Sequence, residues 1–108
     1  MSDQPEVKKL LSSLGLCVKA GKTVFGVPMI CEAMRKGGRG MPKLVIEAAD
    51  TSENTHKKIN DKCAYYKVRC ERIGADGETL AKALGKTGVI AAVAVTDERL
   101  CEVVTKNI

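Results

Sequence analysis

Tryptophan is absent from this sequence, phenylalanine and histidine occur once each, and tyrosine occurs twice. Three aromatics, Phe25, Tyr65 and Tyr66, are too few for a platform on which single-stranded nucleic acid stacks base after base. One histidine cannot complete the usual zinc sets. The cysteines (Cys17, Cys31, Cys63, Cys70 and Cys101) are odd in number, widely spaced and without a C-x-x-C pair. They read as small hydrophobes held in a reducing compartment, with no metal, no disulfide framework and no cofactor expected. No apolar run approaches the roughly 20 residues that a membrane span requires. The first residues, MSDQPEVKK, lack the apolar stretch of a secretion signal, so the expected compartment is the cytoplasm.

Catalytic patterns are also missing. Gly-Lys-Thr occurs twice, at Gly21–Thr23 and Gly85–Thr87. A phosphate loop needs a further glycine five residues earlier, and those positions are Leu16 and Leu80. No G-x-G-x-x-G is present, so neither a nucleotide nor a dinucleotide cofactor is expected. His56 falls between Thr55 and Lys57 on a helical stretch, and Cys63 is the thiol it could pair with. No third group is evident to orient such a pair, so His56 reads as a partly exposed helix residue and the chain as no enzyme.

What is present is positive charge, unevenly placed. The chain of 108 residues carries a net charge of +5. The stretch Lys19–Lys43 holds Lys19, Lys22, Arg35, Lys36, Arg39 and Lys43 against Glu32 alone, which is 6 − 1 = +5. The remainder therefore sums to zero, and a single segment carries the whole imbalance. A pI near 9.0 fits an anionic partner, and the concentration of charge points to RNA.

Length and composition fit one domain, residues 1–108, with a full hydrophobic core. Val7, Leu10, Leu11, Leu14 and Val18 recur at helical spacing from Pro5 to Lys19, with Asp3 and Glu6 spaced as a capping box. Thr23–Phe25 is β-prone. A second helix follows Gly26, with Pro28 in its first turn and Val27, Ile30, Cys31 and Met34 facing in. Leu44–Ile46 reads as a strand covered on both faces. A helix over about Asn54–Tyr66, a strand over Val68–Ile73 and a helix capped by Asp76 follow. Val89–Val95 is the most apolar run and reads as a central strand. Thr96 or Asp97 then caps a last helix with Leu100, Val103 and Val104 inward. Helices alternating with strands predict an α/β fold, a three-layer α/β/α sandwich with a mixed sheet of about four strands and helices on both faces.

Gly26 is the point where backbone can approach a ligand. Amides of a helix's first turn point outward with partial positive charge, and Lys22, Arg35, Lys36 and Lys43 are close in sequence. Around this point the pattern K-A-G-K-x-x-x-G, then A-M-R-K-G, then K-L-V-I-E-A-A-D resembles the kink-turn RNA-binding family of ribosomal proteins, the archaeal seven-Ae and thirty-e large-subunit type. L-A-K-A-L-G-K at Leu80–Lys86 and V-A-V-T-D at Val93–Asp97 agree with it. Asn54–Val68 looks like the bacterial branch encoded beside transcription-termination and translation-initiation factor genes.

The resemblance implies a non-catalytic protein that binds structured RNA, with ribosomal RNA and the ribosome as partners. It places recognition at the helix start from Gly26, hence Val27 and Pro28, and at the loop Lys86–Ile90. Val89 and Ile90 of that loop would cover the protruding nucleotide of the kink. The archaeal pattern after the glycine is x-Asn-Glu-x-x-Lys, whereas Pro28, Met29 and Glu32 stand here. Those replacements predict altered kink-turn specificity, with Lys22, Arg35, Lys36, Lys43 and Lys86 still supplying charge. They also leave open an adaptor that keeps the fold and binds protein instead.

Overall fold

The computed structural model describes the backbone of residues 5–108 and the side chains of residues 7–108. The expected capping box of Asp3 and Glu6 lies outside the described residues. Five helices, α1 (Pro5–Lys19), α2 (Val27–Lys36), α3 (Glu53–Tyr66), α4 (Gly77–Ala83) and α5 (Glu98–Thr105), alternate with four strands. These are β1 (Thr23–Phe25), β2 (Leu44–Glu47), β3 (Arg69–Arg72) and β4 (Ala92–Val95). The sheet order is β1-β4-β2-β3, with β2 parallel to β3 and the other neighbours antiparallel. No helix is long and apolar enough to cross a membrane among the described residues.

The central strands β2 and β4 are buried on both faces, so their side chains alternate between two cores. Leu44, Ile46, Val93 and Val95 meet Leu10 and Leu14 of α1, Leu80 of α4 and Val104 of α5. Val45, Ala92 and Ala94 meet Ile30 and Met34 of α2 and Ile59 and Cys63 of α3. This is the expected α/β/α sandwich, with α1, α4 and α5 on one face and α2 and α3 on the other. Leu14 is fully buried, and cutting such a leucine to alanine costs about 2–5 kcal/mol.

Two expected segments differ. The last strand starts at Ala92, not Val89. The Ile90 amide donates to the Gly77 carbonyl at 3.0 Å, so the chain there is tied to α4 and has not yet joined the sheet. On α5 the inward residues are Leu100, Cys101 and Val104, while Val103 is exposed. Val103 is helical-spaced from Leu100 but rotates past the edge of the contact with α1.

The helix starts follow side-chain chemistry. Ser52, Asp76 and Asp97 accept from Thr55, Thr79 and Leu100 amides at 3.3, 2.8 and 3.0 Å. The start of α2 has no such side chain.

Candidate nucleic-acid interface

The β1–α2 junction turns on Gly26, whose φ of 86° is open to glycine and strained for other residues. Its amide donates to the Ala92 carbonyl at 3.0 Å, and its carbonyl accepts from Ile30 at 2.9 Å. Pro28 in the first turn has no amide hydrogen. The amides of Val27 and Met29 have no acceptor among the described residues. They are the helix-start donors that remain free for an anion. Pro28 is exposed, and Met29 is 61% exposed beside it. Val27 is buried, at 6% exposure, so what it can offer is its backbone amide and not its side chain.

The loop Lys86–Ala91 arrives at the same end of the sheet. The Lys86 ammonium stands 4.8 Å from the centroid of Phe25, the residue before Gly26. Val89 is 71% exposed, an unusual place for a valine. Ile90 is not part of that surface: at 9% exposure it packs into the core with Leu80 and Val93. The hydrogen bond to Gly77 turns it inward. The loop is braced from below. The Gly77 amide donates to Asp50 Oδ1 at 2.8 Å, its carbonyl holds Ile90, and a Cβ at position 77 would lie 2.4 Å from Val89 Cγ1. Asp50 and Gly77 carry no sequence signal of a site, because their role appears only when α4 and the β2–α3 turn are brought together.

The cations expected around Gly26 do not gather there. Lys22 precedes β1, and its carbonyl accepts from Thr96, just past the end of β4. Lys43 precedes β2 and donates its amide to Val95 at 2.7 Å. Both therefore lie at the sheet end opposite Gly26. Arg35 and Lys36 occupy the last turn of α2, and ten helical residues place them roughly 15 Å along the axis from its start. Arg35 is also engaged by Glu32, whose carboxylate is held below its ordinary range by that hydrogen bond. Of the expected cations, Lys86 alone stands at the Gly26 end.

Sequence reasoning also missed Glu47. It is 1% exposed at the end of β2, under the first turns of α3. His56 Nδ1 lies 2.8 and 2.9 Å from its two oxygens, Asn60 Nδ2 donates to it at 3.3 Å, and Arg72 Nε stands 3.9 Å away. Glu47 and Arg72 are register partners on parallel strands, which puts both on the α3 face. The neighbouring Cys63 thiol, together with burial, pushes the Cys70 thiol up. His56 is thus paired to a carboxylate and does not meet Cys63. Among the described residues no cluster of three His, Cys, Asp or Glu side chains could hold a metal ion.

The molecule is a small α/β/α sandwich whose one end joins an uncapped, glycine-led helix start to a loop with an exposed apolar tip. The chain belongs to the ribosomal protein L7Ae/L30e/S12e/Gadd45 family, which it matches over residues 8–105. The resemblance carried by its glycine and lysine pattern was to this family. Its relatives include proteins named RNA-binding protein YlxQ. That of Bacillus subtilis is 38% identical over 85 residues, covering 79% of this chain and 80% of the relative. That of Enterococcus faecium is 34% identical over 79 residues, with 73% of each chain covered. A solved protein of unknown function from Bacillus halodurans superposes with a TM-score of 0.82 at 28% identity, covering 92% of this chain and 95% of that one. The 15.5 kD RNA binding protein of Giardia lamblia shares the fold, with a TM-score of 0.75 at 16% identity over 99% of this chain and 88% of that one.

Proposed function

We propose that this chain is a non-catalytic RNA-binding protein that recognises structured, kink-turn-like RNA, in association with ribosomal RNA. The observation that carries the reading is the meeting of Gly26 and the Lys86–Ala91 loop through Lys86 and Phe25. Free Val27 and Met29 amides receive an acceptor of the RNA, Val89 covers an unstacked base, and Lys86 offsets phosphate charge. Relatives named for RNA binding support the partner class. Pro28, Met29 and Glu32 supply no planar amide or free cation to read base edges, so discrimination rests on shape and backbone.

A gel-shift titration tests this with a kink-turn RNA and with the same RNA after its tandem G·A pairs are replaced. Tighter binding to the intact kink is expected, and equal binding would remove structure-specific recognition. A second reading, a protein-binding adaptor, draws on exposed Met29 and on Glu32 neutralising Arg35. A partner retained from nuclease-treated lysate at high salt, with no RNA bound, would favour it.

A further inference from the structure

We propose that the sheet end opposite Gly26 is a second, sequence-independent phosphate-binding face, which takes RNA continuing past the first site. The proposal rests on the RNA-binding reading above and extends it to a surface that the first site does not use.

The backbone pairings set the face out. Lys22 and Lys43 flank the end of β4 from its two sides, through the Thr96–Lys22 and Lys43–Val95 hydrogen bonds. Two strand spacings put them about 10 Å apart. Lys67, just before β3, extends the row. Over this edge stand Lys19 at the end of α1, Lys36 at the end of α2 and Arg39 in the 3-10 turn Gly38–Gly40. All six are exposed, and none has an ion-pair partner among the described residues. The acids nearby are largely occupied. Glu32 holds Arg35, Glu71 holds Arg69, and Asp97 caps α5, which leaves Glu98 beside Arg99.

Some of this charge has a structural use. Three helices end here, and cations in last turns offset the exposed carbonyls. That accounts for Lys19 and Lys36. It does not account for Lys22 and Lys43, which belong to no helix end, or for Arg39, which lies beyond α2 in a single 3-10 turn. Lysines are point charges that position a phosphate backbone without reading bases. Tyr65, 78% exposed at the rim and edge-on to Tyr66, adds one ring face for a base.

A path joins the two ends. A groove of ≈ 300 Å³ runs along α2, lined by Val24, Met29, Glu32, Ala33, Lys36 and Gly40. The roughly 15 Å length of α2 corresponds to about five base pairs of duplex, so an RNA must extend that far beyond the first site to reach the face.

The experiment uses the full chain with a short kink-turn RNA and one whose stem is longer by ten base pairs. Binding is measured against salt for the parent and for the combined Lys22→Gln, Lys36→Gln, Arg39→Gln and Lys43→Gln variant. Each lost phosphate contact lowers the slope of log K against log salt by about 0.7–0.9, so the four lower it by roughly three, with the long RNA alone. The Lys22→Gln, Lys43→Gln pair is expected to give about half that change, and serves if the fourfold variant melts early. An unchanged slope on the long RNA overturns the second face while leaving the first site standing. If the parent binds neither RNA, both readings fall.

Discussion

The ammonium of Lys86 lies over the ring of Phe25, 4.8 Å from its centroid. That contact joins the loop before β4 to the residue that precedes the helix start. The two residues are 86 − 25 = 61 positions apart in the chain, and the sheet brings them together because β1 pairs antiparallel with β4, Phe25 opposite Val93. A cation over an aromatic face contributes about 0.5–1 kcal/mol at an exposed site. Lys86→Gln is therefore expected to weaken RNA binding and to lower the salt slope by close to one contact, while leaving the fold intact. Filter binding over a salt series measures both.

The brace under the loop makes a second prediction. Gly77→Ala puts a methyl where Val89 Cγ1 and the Ile90 carbonyl already stand, at 2.4 and 3.0 Å. Overpacking of this kind costs about 1–3 kcal/mol, and the loop must shift to relieve it. Stability in urea falls, and RNA affinity falls with an unchanged salt slope because no cation is lost. Asp50→Ala should act in the same direction, whereas Asp50→Asn, which keeps an oxygen for the Gly77 amide, should retain binding.

Glu47 tests the buried network. Glu47→Ala strands the donors of His56 and Asn60, which are partly exposed and regain water, so the expected cost is about 1–3 kcal/mol in urea unfolding. His56→Ala removes the closest partner of a buried carboxylate and is expected to cost at least as much. Neither change should alter the salt slope of RNA binding, which separates a structural network from the interface.

Asp76 supplies a pH dependence. Its carboxylate caps α4, and the Thr79 amide and hydroxyl hold it below its ordinary value. A depressed folded value means that its stabilisation is present above the unfolded value, near 3.8, and is lost as pH falls through the lower folded one. The melting-temperature gap between the parent and Asp76→Ala should therefore be full at pH 7 and shrink below about pH 4. A gap independent of pH would assign the effect to helix propensity.

Lys67 holds the left-handed conformation at the end of α3, with φ 59°. For a residue with a Cβ this costs about 1–2 kcal/mol, offset in part by the chain entropy glycine adds to the unfolded state. Lys67→Gly is expected to raise stability by up to about 1 kcal/mol in urea unfolding. It also removes one cation from the second face, so a more stable protein should bind long RNA less tightly.

The layered fold was legible in the sequence. Helical spacing in Val7, Leu10, Leu11 and Leu14, the double-sided run Leu44–Ile46, the cap at Asp76 and a cap at Thr96 or Asp97, which the structure assigns to Asp97, each marked an element near its observed bounds. The start of β4 was not, because Val89 and Ile90 look like strand until Gly77 is known to hold Ile90. The site was half legible. Gly26 and Lys86 stood out as glycine and lysine in a recognisable pattern. The grouping of cations did not, since closeness in sequence hides the fact that β1 and α2 each run from one end of the sheet to the other. Glu47, just past the apolar run Leu44–Ile46, carried no signal of its own, and its burial depends on His56, Asn60 and Arg72 arriving from elsewhere.

The central claim is that RNA is received by the free amides at the start of α2 beside the Val89 loop. Titrating isotope-labelled protein with a kink-turn RNA and following backbone amide resonances tests it most directly. Val27 and Met29 are expected to shift most strongly, together with Val89, and the change to saturate with the RNA. Saturable binding that leaves the Val27, Met29 and Val89 amides unmoved would contradict it.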